Sequence, residues 1–353
     1  EAKRVHWQTP FNQVVDVSRL PFAKWFVGGK TNLCFNAVDR WLESDPDQAA
    51  LVWVSTEVNQ ELTYTRKMLW QEVSAVAAML QAQGVGMGDR VLIYMPMIPS
   101  AVFAMLACAR LGAIHSVVFG GFASVNLAQR IDDAQPKVIV TADAGSRAGK
   151  VTPYKPLLDR ALELCASSVQ AVIVENRGLY AFEPVSGRDL DYAALREQHW
   201  GQEVAVQWVE SSAPSYILYT SGTTGKPKGV QRDTGGYAVA LATSMDYVFQ
   251  GKAGETFLCT SDIGWVVGHS YIVYGPLIAG MTTILYEGTP VRPDGGILWK
   301  LVEQYKVSVM FSAPTAIRVL KKQDPALLKK YDLSTLRALY MAGQPLDEPT
   351  ATW

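Results

Sequence analysis

Residues 90–112, RVLIYMPMIPSAVFAMLACARLG, hold in miniature the alternation that decides the fold. Residues 90–95 are a nearly unbroken apolar run, the pattern of a strand buried on both faces. Pro99 follows, then a helical stretch to Arg110, and Gly112 stands just beyond it, where helices commonly end. Upstream, Leu69, Val73, Val76 and Leu80 fall on one helical face that Gly84 closes. Downstream, residues 137–141 (KVIVT) and 171–175 (AVIVE) read as strands, with a helix between them at 157–164. The rhythm resumes with strands predicted at 216–220 (YILYT), 256–259, 283–286, 307–311 and 336–341, and Leu298, Leu301, Val302 and Tyr305 mark another helical face. Such alternation argues for an α/β fold of mostly parallel sheets flanked by helices. Two lobes are expected, residues 1–200 with an N-terminal extension and residues 201–353, joined across the more polar stretch 176–215.

The 353 residues carry 32 Lys+Arg against 33 Asp+Glu, with 49% hydrophobic and 18% charged residues. Disorder requires low hydrophobicity and high net charge, so it is excluded over most of the length. A nucleic-acid partner requires a clustered basic excess, which a net charge of −1 does not supply. Cys34, Cys108, Cys165 and Cys259 form no C-x-x-C pair, so reduced thiols and a cytoplasmic location are expected, with no metal centre. Residues 264–286 contain no Asp, Glu, Lys or Arg and are long enough to span a bilayer. Gly264, Gly268, Gly275, Pro276 and Gly280 break that stretch into short pieces, so a buried helix followed by a strand is expected and no membrane span.

The most unusual segment is residues 219–229, YTSGTTGKPKG, directly after an apolar run. In α/β proteins ligands bind outside the carboxyl ends of parallel strands. Gly222, Gly225 and Gly229 let backbone amides turn inward. The hydroxyls of Thr220, Ser221, Thr223 and Thr224 and the ammonium groups of Lys226 and Lys228 share the same small volume. That donor set suits a polyphosphate. A plain surface turn is also made of Gly, Ser and Thr, but it needs neither a preceding apolar strand nor two lysines flanking Pro227. A Walker A loop is excluded: only two residues separate the first two glycines, and proline follows Lys226, so no helix starts at that lysine.

T-S-G-T-T-G-K-P-K-G-V resembles the AMP-binding signature of the adenylate-forming enzymes. Residues 25–41 (WFVGGKTNLCFNAVDRW), 117–122 (VVFGGF), 234–237 (TGGY) and 261–276 (SDIGWVVGHSYIVYGP) narrow the resemblance to the short-chain acyl-CoA synthetases, chiefly the propionate-activating members. It implies the incomplete large N-terminal domain of such an enzyme, its second lobe truncated, activating propionate, or alternatively acetate, with ATP, Mg2+ and coenzyme A. Thr220, Ser221, Gly222, Thr223, Thr224 and Gly225 with Lys226 and Lys228 would then handle the ATP phosphates. Gly343, Gln344 and Pro345 match the segment along adenine and ribose, where relatives usually carry Gly-Glu-Pro; without the resemblance they read as a turn after a strand. Arg147, Ala148, Gly149 and Lys150 resemble the basic patch that meets the nucleotide end of CoA, although a lone R-x-x-K is commonly a solvated loop. Trp265, Val266, Val267 and Ala342 are implied as the acyl pocket, and plain core residues are the other reading. His269 either approaches the carboxylate or is a hydrogen-bonded core histidine. The family continues beyond the position matching Trp353, so the chain is expected to be a partial piece lacking the small C-terminal domain. On its own it is expected to be inactive, at most binding nucleotide or CoA.

Overall fold

The computed structural model describes residues 1–220 and 227–353. Two main sheets organise it. The first has seven strands, in spatial order Asp189–Asp191, Ala171–Glu175, Val138–Ala142, Arg90–Tyr94, Ile114–Val117, Pro214–Thr220 and Lys228–Asp233, parallel except for the last pair. The second has six, Ala338–Met341, Val307–Ser312, Thr256–Cys259, Thr282–Glu287, Ala49–Ser55 and Gln60–Thr65, again parallel except for the last pair. Mixed α/β architecture with parallel sheets and flanking helices is thus the observed fold.

Sheet membership cuts across the expected boundary at residue 200. Ala49–Ser55 and Gln60–Thr65 belong to the second sheet, while Pro214–Thr220 and Lys228–Asp233 complete the first. The stretch 176–215 is more than a connection, since it holds the edge strand Asp189–Asp191 and the helix Tyr192–His199. Gln60–Thr65 and Lys228–Asp233 are edge strands with mostly exposed side chains, so no apolar run announces them. Ile114–Val117 is short and carries His115 and Ser116. Residues 264–286 form the short helix Val266–Gly268, the π-helical turn His269–Tyr274, the helix Gly275–Ile278 and the strand Thr282–Glu287, in line with expectation. No helix among the described residues is long and apolar enough to cross a membrane.

Alternate residues along each central strand face different cores. Val91 and Ile93, Val138 and Val140, and Leu51 and Trp53 join one central core between the two sheets. Leu92, Tyr94 and Ile139 face an outer core under the helices Ser124–Ala134 and Tyr154–Leu164. Val52, Val54 and Leu258 face another, under Ile297–Tyr305 and Pro314–Lys321. The helix Pro99–Leu111 lies in the central layer. Proline occupies its first turn, Gly112 at φ +66° ends it, and all its residues are buried. Such a helix needs apolar neighbours on every side. Each fully buried Leu or Met contributes about 1.5–3 kcal/mol, so this layer binds the sheets firmly and fixes how their strand ends meet.

Candidate functional site

Three carboxyl ends from each sheet converge on one cleft of about 420 Å3. From the first sheet come Pro96 and Met97, then Phe119, Gly120 and Gly121, then Gly145, Ser146 and Arg147. The second sheet supplies Thr260, Ser261 and Asp262, then Tyr286, Glu287 and Gly288, then Ala313 and Thr315. An ion pair closes the seam: both guanidinium Nη atoms of Arg177 donate to Glu287, at 2.8 and 2.9 Å. Asp143 fixes the loop carrying that arginine by accepting from the amides of Arg177, Leu179 and Tyr180.

Tyr154 opens its helix and stacks on Tyr94 with ring centroids 4.7 Å apart. A Cβ on Gly120 would overlap the Tyr154 hydroxyl, so only glycine fits that wall. Burial pushes the Tyr154 phenol well above its ordinary value, leaving it a neutral donor. Burial also pushes the Asp262 carboxyl up, opposed by the amide of Gly264, which donates to it at 2.8 Å, and by the charge of Arg147.

The expected CoA residues form a hairpin, Gly145–Arg147 paired with Lys150–Thr152, and Arg147 and Lys150 are register partners. Arg147 lines the cleft and Lys150 is exposed. The amides of Ala148 and Gly149 are engaged by Glu57. Thr220 ends a strand parallel to Ile114–Val117, so its carboxyl end shares the rim from which Phe119–Gly121 project. Lys228 begins the following strand and is exposed. Ser221, Gly222, Thr223, Thr224, Gly225 and Lys226 lie outside the described residues.

Gly343, at φ +96°, follows the strand Ala338–Met341. Arg318 donates to the Gln344 side chain at 3.3 Å and to the Pro345 carbonyl at 2.8 Å. Trp265 packs against Phe119 and Phe122, with centroids 5.4 and 6.3 Å apart. Val266 and Val267 line a different hollow of about 1090 Å3, walled by the helix Thr234–Tyr247 and by Trp25 and Tyr271. Val267 and Ala342 pack against the central core. His269 is fully buried: its Nε2 lies 3.0 Å from Nε2 of His115, and its Nδ1 lies 3.3 Å from the Ile263 carbonyl. Donation to that carbonyl leaves Nε2 of His269 as acceptor and makes His115 the Nε2–H tautomer, an assignment from the bonding network.

Tyr154, Asp262 and Glu287 had no assigned role from sequence. Their available signal was position, since two lie at or just past a strand end; Tyr154 reaches the cleft from a helix start, and nothing local marks it.

The sequence profile of the AMP-binding enzyme family matches residues 38–353, and that of the acetyl-coenzyme A synthetase N-terminus matches residues 1–37. The chain is 63% identical over 353 residues to the propionate–CoA ligase of Escherichia coli K12 and 62% identical to that of Salmonella typhimurium LT2. Each alignment covers 100% of this chain and 56% of the relative. The acetyl-coenzyme A synthetase of Methylobacillus flagellatus is 45% identical over 359 residues, 99% of this chain and 54% of the relative. The chain therefore spans about half the length of the curated relatives it matches.

Proposed function

The chain belongs to the AMP-binding enzyme family, and from that premise we propose that the protein carrying it converts propionate, ahead of acetate, into its CoA thioester through an acyl-adenylate. A carboxylate oxygen attacks the α-phosphorus of Mg·ATP and pyrophosphate leaves. The CoA thiol then attacks the acyl carbon, loses its proton, and AMP departs with the electron pair of the broken anhydride bond. Such chemistry asks chiefly for positioning and charge stabilisation. Thr220 to Gly225, Lys226 and Lys228 are assigned the ATP phosphates, and Gly343, Gln344 and Pro345 the adenosine. Arg147 and Lys150 are assigned the nucleotide end of CoA, and Trp265, Val266, Val267 and Ala342 the acyl chain. Tyr154 joins the CoA side: its neutral phenol lines the cleft beside Arg147, held there by the room that Gly120 leaves for its hydroxyl.

The observation that carries the reading is the shared rim. The strand ending at Thr220, directly before the signature segment, runs parallel to Ile114–Val117, so its carboxyl end lies at the same sheet edge as Phe119–Gly121, which line the cleft. Arg147 on that cleft adds positive charge suited to a phosphate-bearing ligand. The test is propionate-dependent ATP–pyrophosphate exchange by the full-length protein. Exchange stronger with propionate than with acetate, and lost in Lys226→Ala/Lys228→Ala, is expected; ADP release, or exchange indifferent to short acids, overturns the reading. Because these residues span about half the length of the relatives, the 353-residue piece alone is assigned binding of nucleotide or CoA without turnover. A cytoplasmic location is part of the proposal, supported by four free cysteines of which three are buried.

A further inference from the structure

The hairpin that bears Arg147 and Lys150 turns through Ala148 at φ +55° and Gly149 at φ +75°. Consecutive positive φ values bring neighbouring amides into one concavity, an anion-binding arrangement. The protein fills it with its own carboxylate. The Ala148 amide donates to Glu57 Oε1 at 2.7 Å, the Gly149 amide to Oε2 at 2.8 Å, and the Ser146 hydroxyl to Oε2 at 2.7 Å. Glu57 sits in the turn joining Ala49–Ser55 to Gln60–Thr65 of the second sheet, whereas the hairpin follows the first-sheet strand Val138–Ala142.

From the other flank Arg292 donates to the Ala148 carbonyl, and its guanidinium lies 3.1 Å from where a Cβ on Gly149 would stand. Burial pushes the Glu57 carboxyl up, but the Gly149 amide, the Ser146 hydroxyl and the Ala148 amide bring it net below its ordinary value. It therefore stays ionised, and its hydrogen bonds are charge-assisted. With the tip amides engaged, the side chains of Arg147 and Lys150 are what the hairpin has left to offer a phosphate. As directly opposed antiparallel partners they stand on the same face.

We propose that Glu57 is a positioning residue for coenzyme A: it clasps the hairpin across the two sheets so that Arg147 and Lys150 meet the nucleotide phosphates together. This rests on the reading of that hairpin as a CoA contact. In the full-length protein, Glu57→Ala raises the KM for CoA about five- to twenty-fold. It leaves the KM for ATP and propionate, and the CoA-independent ATP–pyrophosphate exchange, within about two-fold. Glu57→Gln, which keeps an acceptor but loses the charge, gives an intermediate KM. Discrimination between CoA and 3′-dephospho-CoA shrinks in step, a change that general loosening of the fold does not produce. Arg147→Ala/Lys150→Ala serves as the reference. If it raises the KM for CoA while Glu57→Ala and Glu57→Gln do not, the clasp is overturned and the CoA contact stands. If the Glu57 variants weaken all three substrates equally, the role is structural and the proposal falls. If the double variant itself leaves the KM for CoA unchanged, the CoA reading fails and the clasp falls with it.

Discussion

The polar cleft and the apolar hollow are built from different parts of the same layers. Loops leaving strand ends make the cleft, and its shape is held by backbone geometry and charge: Gly120 against Tyr154, Asp262 on an amide, Arg177 on Glu287. Side chains of the helix Thr234–Tyr247 and of the N-terminal segment make the hollow, among them Trp25, Tyr247 and Val248, each close to half exposed or more. The short helix Val266–Gly268 divides the two. Trp265 turns to the aromatic residues at the cleft, while Val266 and Val267 turn to the hollow. A backbone-built site tolerates almost no change of shape, whereas a wall of apolar side chains adapts. The two sides should therefore respond very differently to substitution.

The largest contrast is expected at the seam. Arg177→Ala leaves Glu287, 3% exposed in its side chain, as an uncompensated buried charge. Urea denaturation should show a loss of about 3–5 kcal/mol; a loss below about 1 kcal/mol would mean that the ion pair does not hold the cleft. Gly120→Ala comes next. Its new Cβ has no room beside Tyr154, and CoA-dependent turnover should drop about 100-fold, while Val248→Ala on the hollow side changes turnover only a few-fold. Equal losses would erase the distinction between the two walls.

The histidine pair underlies the dividing helix, and acid probes it. Burial pulls His269 down to about 3, and His115 well below its ordinary value, with the neighbouring His269 adding to the effect. The unfolded chain protonates both near 6.5, so below that value it binds more protons than the folded chain and stability falls as the pH falls. The slope should be about 1.4 kcal/mol per pH unit for each histidine, between about 6.5 and the folded values. Denaturation of the wild type and of His115→Asn across pH 7 to 5 measures it; identical slopes would refute the assignment. The smallest effect is Ala342→Val, which narrows the proposed acyl pocket. The ratio of kcat/KM for propionate over acetate should fall by about five- to ten-fold, the low end of the roughly 1–3 kcal/mol that one methylene is worth. An unchanged ratio would remove Ala342 from the pocket.

Legibility in the sequence followed burial. Residues 90–95, 137–141 and 171–175 are strands because continuous apolar runs leave little else that buries both faces, and they emerged within a residue or two. Gln60–Thr65 and Lys228–Asp233 stayed hidden because edge strands need no apolar pattern. The cleft was partly legible. Arg147 on the cleft wall stood out through family resemblance, but Glu57 and Tyr154 gave no local sign, because each acts on a residue distant in sequence or across a layer.

By itself the sequence determined which segments are strands buried on both faces, which helices cover them, and that a segment rich in Gly, Thr and Lys follows residue 220. Apolar periodicity records that a face is buried, yet hydrophobic attraction is non-directional and does not record against what. Only the tertiary structure decided that residues 49–65 cross to the second sheet and that Pro214–Thr220 and Lys228–Asp233 return to the first. Strand pairing and the clasp of Glu57 depend on directional hydrogen bonds between distant parts of the chain, and those exist only once the layers are stacked.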